Sequence, residues 1–326
     1  MGMDPMNVAT ALNRKYLRYA AVMLWSLCEN NPGPVRVFLL HSELTEDDIR
    51  ELKDVLRQFE AEICDIKIDR TLFGDRLPYN EQWSIETYYR LQLPDLLPPE
   101  TKRLFYIDVD IIVNKSLREL YAADFQGNDL LATEDSCGTK TWELYTEKQK
   151  EVFQDRYQAG FRYFNAGFML MNMAQIRKSC RFETYQKTME AWNYQMSAPD
   201  QDILNDVHWE KTGYLDYNQY DLFARIAHNC GISYEHVRDA VSIVHYAGDK
   251  PWDAGSFHFD IERLWWDYAK KTPYYQELLE EFLYKTMTDT CLEEYVADLL
   301  RQIEQANNQL KESLGLNQRL LAMLQK

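Results

Sequence analysis

Asp108 and Asp110 stand two residues apart inside the apolar run RLFYIDVDIIV at 103–113. On an extended strand residues i and i+2 project from one face, so the two carboxylates leave together while Val109 points the other way. Two like charges in apolar sequence are costly unless a cation lies between them, and paired oxygen ligands suit Mg²⁺ or Mn²⁺. The competing reading is a pair of solvated surface acids. His245 ends a second apolar run, VSIVH, that passes into YAGDKPW at 246–252, a glycine turn followed by a rigid proline. An imidazole at a strand end would complete a mixed oxygen and nitrogen site, which leans toward Mn²⁺ over Mg²⁺, or it would simply bond to backbone. Lys250 offers a point charge to a phosphate, or is an ordinary surface lysine.

Two further clusters carry chemistry. Phe164-Asn165-Ala166-Gly167 opens a strand with small residues that let backbone approach a ligand and an amide that donates to hydroxyls; as an alternative it is a turn. Asp200-Gln201-Asp202 precedes a helical run, which makes Asp200 either a helix N-cap or a site residue. Gln201 is no strong base, but its amide carbonyl suits a place beside a developing oxocarbenium ion.

The elements that must hold these residues follow from hydrophobic periodicity. Strand patterns at 8–11, 35–40 and 63–68 alternate with helical ones at 16–29 and 46–59, giving β-α-β-α-β. Further strands are expected at 103–113, 130–133, 168–171 and 241–245, with helices at 181–194 and 202–207. Alternation of this kind predicts an α/β fold with a mostly parallel sheet covered on both faces, and ligands in such sheets bind at the carboxyl ends of strands. Beyond residue 257 strand signals stop. Leu292, Val296, Leu299, Ile303, Ala306 and Leu310 recur at coiled-coil-like intervals, which predicts a separate helical unit over 257–326. That seam must be buried, and self-association through the C-terminal helices is favoured over docking on the α/β domain. Residues 1–5 read as an addition ahead of a natural start at Met6, so the α/β domain is placed at 6–256.

Composition bounds the partners. A formal charge of -16 excludes broad nucleic-acid binding, and a phosphorylated ligand would need a cation to neutralise it. The six cysteines are scattered without C-x-x-C spacing, which disfavours zinc and disulfide frameworks. No run approaches the ~18 to 20 apolar residues of a membrane span, and a soluble cytoplasmic protein is expected.

Taken in order, Leu12-Asn13-Arg14-Lys15-Tyr16, Thr87-Tyr88-Tyr89-Arg90-Leu91, Leu104 to Asp110, Phe164 to Gly167, Asp200 to Asn205 and His245 to Trp252 resemble the motifs of glycosyltransferase family 8. These are retaining transferases that include bacterial lipopolysaccharide galactosyl- and glucosyltransferases and glycogenin. The resemblance implies a GT-A, Rossmann-like nucleotide-sugar-binding domain with a helical C-terminal extension. It implies Asp108, Asp110 and His245 as Mn²⁺ ligands, Lys250 and Gly248 as diphosphate contacts, and Ala11, Asn13 and Tyr16 beside a uracil. Arg90, Asn165, Ala166, Asp200 and Gln201 match the residues that hold the donor sugar, with Gln201 and Asp200 in the catalytic positions. The implied partners are a UDP-glucose or UDP-galactose donor and a saccharide, lipopolysaccharide-like or protein acceptor. The family often has Asp where this chain has Asn13 and Asn where it has Lys15, departures that bear on the nucleotide more than on the metal. A haloacid dehalogenase-type phosphatase also uses a strand-end D-x-D. Ile112 stands where its motif has Thr or Val, and it leaves Asp200, Gln201 and His245 without roles. A non-catalytic nucleotide-sugar-binding module is the third reading.

Overall fold

A computed structural model describes residues 4–74, 76–77, 84–135, 145–288, 299–301, 303–304, 307 and 310. The chain opens as expected, with β1 (Met6–Ala11), α1 (Leu17–Asn30), β2 (Val35–His41), α2 (Glu46–Leu56) and β3 (Ala61–Lys67). A 3₁₀ segment at Ile85–Gln92 then precedes β4 (Leu104–Ile107) and β5 (Ile111–Val113). After these come β6 (Leu130–Glu134), α3 (Glu147–Gln158), β7 (Phe164–Met171), α4 (Phe182–Ala191) and α5 (Pro199–His208). Next are β8 (Thr212–Tyr214), β9 (Tyr220–Phe223) and β10 (Ile243–His245), followed by α6 (Arg263–Ala269) and α7 (Tyr275–Thr288).

Seven strands form one sheet in the order β3-β2-β1-β4-β7-β6-β8. It is mixed rather than mostly parallel: β7 runs antiparallel to both β4 and β6, while β1 is parallel to β2 and β4. The expected single strand at 103–113 is two, because β5 leaves for a small second sheet ordered β5-β10-β9. Asp108 and Asp110 therefore lie in the turn between the sheets, and it is this turn, not strand alternation, that brings their side chains together.

Alternation along the central strands builds a core on each face. Val37 and Leu39 join one layer with α1 and α2, while Phe38 and Leu40 join the other with the 85–92 segment. With both faces covered, all eight residues of β7 are buried. The chain leaves β1 for β2 on one side and returns to β4 on the other, so a crevice opens at the carboxyl ends of β1 and β4.

The expected C-terminal extension is helical where described, but its first part does not stand apart. Trp265 and Tyr268 of α6 are buried in the same core as α1, Trp265 packs against Trp252 with ring centroids 5.0 Å apart, and Arg18 grips Glu281 at 2.8 and 3.0 Å. Of the predicted seam, Leu299, Ile303 and Leu310 are 37%, 55% and 58% exposed, whereas Leu292, Val296 and Ala306 lie outside the described residues. Among the described residues no helix is long and apolar enough to cross a membrane, and the four described cysteines are free.

Candidate active site

The crevice at the ends of β1 and β4 widens into a cavity of about 520 Å³, and all thirteen residues expected from the sequence line it. β1 delivers Ala11, with Asn13 and Tyr16 just beyond it; the turn after β4 delivers Asp108 and Asp110. β7 brings Asn165 and Ala166, the first turn of α5 brings Asp200 and Gln201, and β10 with its exit loop brings His245, Gly248 and Lys250.

Ligating atoms of Asp108, Asp110 and His245 all lie within 4.8 Å of one another. Two backbone bonds pin the turn: Asp108 N–H donates to Gly167 O at 2.8 Å, and Tyr246 N–H donates to Asp110 O at 2.9 Å. His245 Nε2 is 3.3 Å from Asp110 Oδ1, and its Nδ1 is 2.8 Å from Asp221 Oδ1. Two carboxylates and an imidazole whose other nitrogen is already bonded make a mixed donor set that fits a divalent ion such as Mn²⁺. Gly167 packs directly beneath: a Cβ there would lie 2.6 Å from His245 Cε1 and 3.0 Å from Asp108 Oδ2. Its lack of a side chain thus makes room for His245 and Asp108 rather than for a ligand.

Electrostatics separate the two aspartates. Burial raises the Asp108 carboxyl against the opposing pull of Arg90. Burial acts on Asp110 too, but the Lys250 ammonium and His245 outweigh it and hold Asp110 well below the usual carboxylate range. For His245, burial favours the neutral ring, yet Asp110 and Asp221 together push it up to about 10. In the absence of a cation this cluster holds a proton on the imidazole, and a divalent cation would compete for the same place.

Arg90 is the hub of the neighbouring wall. Only 4% exposed, it places Nη2 3.0 Å from Asp108 Oδ1 and Nε 2.9 Å from Asp200 Oδ2, and its Nη1 donates to Ala166 O at 2.5 Å. Its guanidinium also lies 4.1 Å above the Tyr106 ring. Asp200 is not a helix cap: Ala198 is the N-cap of α5, Pro199 fills the first helical position, and the Asp200 carboxylate points at Arg90. Burial pushes Asp200 up to about 6, with Arg90 pulling it down and Asp108 pushing it up.

Gln201 Oε1 accepts from Ala166 N–H at 2.9 Å, and its amide nitrogen donates to Asp135 Oδ2 at 3.4 Å, so the amide is fixed in orientation at the cavity wall. Asn165 Oδ1 accepts from Gly167 N–H at 2.8 Å, which makes 164–167 a strand opening held by its own side chain rather than a free turn. Asn13 donates to Glu86 Oε2 at 3.4 Å. Lys250 is no ordinary surface lysine, since its Nζ pairs with Asp110 Oδ2 and donates to Tyr246 O at 2.9 Å. Gly248 takes φ +84, which glycine adopts freely.

Sequence reading did not single out Asp221, Asp135 or Glu86. Asp221 lies on the four-residue strand β9, which the hydrophobic pattern does not reveal, and Asp135 and Glu86 have no partner at recognisable spacing.

Comparison with known proteins identifies the family and the fold. The chain is 24% identical over 294 residues to a putative glycosyltransferase of Haemophilus influenzae, covering 82% of this chain and 84% of that one. It is 24% identical over 257 residues to a lipopolysaccharide 1,3-galactosyltransferase of Salmonella typhimurium, covering 76% and 73%. The crystal structure of the galactosyltransferase LgtC in complex with donor and acceptor sugar analogues superposes with a TM-score of 0.69 at 24% identity, over 82% of this chain and 96% of that one. The α/β architecture with its mixed central sheet is therefore the GT-A fold. Since the profile of glycosyl transferase family 8 also matches residues 7–255, the chain belongs to that family and is a glycosyltransferase.

Proposed function

We propose that this enzyme transfers a hexose, with retention of configuration, from UDP-glucose or UDP-galactose to a hydroxyl of a saccharide or lipopolysaccharide-like acceptor. The observation that carries the reading is the convergence of Asp108, Asp110 and His245 with Arg90, Asp200, Gln201 and Lys250 on one cavity. The Salmonella galactosyltransferase and the LgtC complex support a sugar donor and a glycan acceptor.

A Mn²⁺ ion on Asp108, Asp110 and His245 would supply Lewis-acid neutralisation of the negative charge that grows on the leaving diphosphate. Lys250, paired with Asp110 and within a glycine-bearing loop, exchanges that partner for a phosphate oxygen when donor enters. Ala11, Asn13 and Tyr16 border the base. Arg90 fixes Asp108 and Asp200 relative to each other, and the donor sugar rests between Asn165, Ala166 and Asp200.

A double displacement needs an unencumbered carboxylate at the sugar carbon. Asp200 is instead 7% exposed in its side chain and bound to Arg90, and Gln201 is an amide. These facts support front-face substitution, in which the departing diphosphate takes the acceptor's proton while Gln201 Oε1 faces the developing cation through its second lone pair.

The test is a screen of nucleotide sugars with Mn²⁺ that reads release of the nucleoside diphosphate, followed by NMR assignment of the product anomer. UDP release from one UDP-hexose, abolished by EDTA and restored by Mn²⁺, is expected. Turnover unaffected by EDTA, or an inverted product anomer, would sink the corresponding part of the proposal.

A further inference from the structure

Four described non-glycine residues have positive φ, and of these only Asp221, at φ +95, is fully buried. A side chain in that backbone region is strained and persists only where its surroundings over-determine it, which happens chiefly at functional sites. The position is also a β-bulge. Tyr220 pairs with Ile243 and Leu222 with Val244, so Asp221 is the extra residue of β9 with no partner across the ladder. A bulge inserts one residue to re-aim a side chain. Here the re-aimed carboxylate uses both oxygens: Oδ1 meets His245 Nδ1 at 2.8 Å, and Oδ2 accepts from Thr133 Oγ1 at 2.9 Å.

A carboxylate only accepts, so Nδ1 must carry the proton of this bond. Nε2 is thereby directed at the space between Asp110 and Asp108, while the Phe223 ring, 5.0 Å away and edge-on, closes the other side of the imidazole. We propose that Asp221 is a positioning residue for the metal centre: the bulge places it to fix the tautomer and ring plane of His245, and through them it sets divalent-metal affinity. This rests on the metal-dependent reading above. The strain at φ +95 is retained because a glycine, which would relax the backbone, has no carboxylate to hold the ring.

The experiment is an EPR titration of the full-length protein with Mn²⁺ alone, with melting curves and pulsed-EPR detection of the histidine nitrogen. Proteins compared are wild type, Asp110→Ala, Asp221→Asn and Asp221→Gly. Outer partners of metal-bound histidines typically contribute about 10 to 100-fold in affinity, and a Kd weakened by that factor in Asp221→Asn is expected, with altered nitrogen coupling. Asp221→Gly relaxes the backbone at this φ but leaves Thr133 Oγ1 and His245 Nδ1 without their acceptor, so it should melt lower than wild type while still folding, and bind Mn²⁺ as poorly as Asp221→Asn. Folded Asp221 variants that keep the wild-type Kd, while Asp110→Ala loses binding, would overturn the inference and leave the metal site standing. A lower melting point with unchanged Kd would do the same, by showing a structural role only. Wild-type protein that binds no Mn²⁺ would remove the metal reading and this inference together.

Discussion

The guanidinium of Arg90 and the carboxylate of Asp200 meet at 2.9 Å with both side chains at most 7% exposed, and the same guanidinium reaches Asp108 at 3.0 Å. One cation therefore joins the turn that carries Asp108 and Asp110 to the helix that carries Gln201. Replacing it by Met would leave two carboxylates facing each other without compensation. We expect Arg90→Met to lose about 3–5 kcal/mol of stability in urea unfolding. Arg90→Lys, which keeps charge but not the fork, should retain more of the stability while UDP-hexose turnover still falls. Stability and turnover that fall in parallel in both variants would refute a separate role for the fork.

Gly167 is the floor beneath Asp108 and His245, and the added methyl of Gly167→Ala would meet both. Overpacking of this kind typically costs about 1–3 kcal/mol. Mn²⁺ affinity measured by EPR should fall because two ligands must shift together. Wild-type affinity in a folded Gly167→Ala protein would show that the turn gives way without consequence.

Gln201 faces the cavity with its amide fixed by Ala166 and Asp135. If the carbonyl acts on the developing cation, Gln201→Ala should lower kcat by about 10²-fold or more with donor KM changed little. A raised KM with kcat intact would reassign Gln201 to ground-state binding.

Asp200 gives a pH signature to stability. Its carboxyl, at about 6 in the folded protein against an ordinary 3.8, binds a proton more tightly folded than unfolded. The contribution is complete below the unfolded value and is lost as pH rises through about 6, a change of about 3 kcal/mol for a shift of this size. Asp200→Asn does not titrate there. In unfolding of the metal-free proteins, wild type should lose about 2 kcal/mol of this relative to the variant between pH 4 and pH 7. A constant difference would contradict the assignment.

The exposed Leu299, Ile303 and Leu310 leave an apolar seam to be covered. We propose self-association: light scattering should find a dimer for the full-length chain and a monomer for one ending at Asp289, with donor turnover kept in both. A monomeric full-length protein would reject this, and loss of folding on truncation would favour a helix docked on the enzyme.

Asp108, Asp110, His245 and Asn165 were legible as candidates because each is a polar residue within or at the end of an apolar strand pattern, and Gln201 because it is an amide between two acids ahead of a helical run. The opening β-α-β-α-β was legible because alternation and helical spacing are local properties. The sequence pattern failed where pairing is long-range. It ran β4 and β5 together, since hydrophobicity does not reveal that a chain changes sheets, and it offered a mostly parallel sheet without showing that β7 reverses between β4 and β6. Asp200 looked as much like a helix cap as a site residue until Arg90, more than a hundred positions earlier, was found beside it. Asp221 was invisible because its importance lies in a bulge and a backbone angle that only the register of β9 against β10 creates. The residue types of the site were thus determined by the sequence itself. Which of them touch, and which are held by a partner, was decided by tertiary structure, because burial and the pairing of buried charges act between segments far apart in the chain.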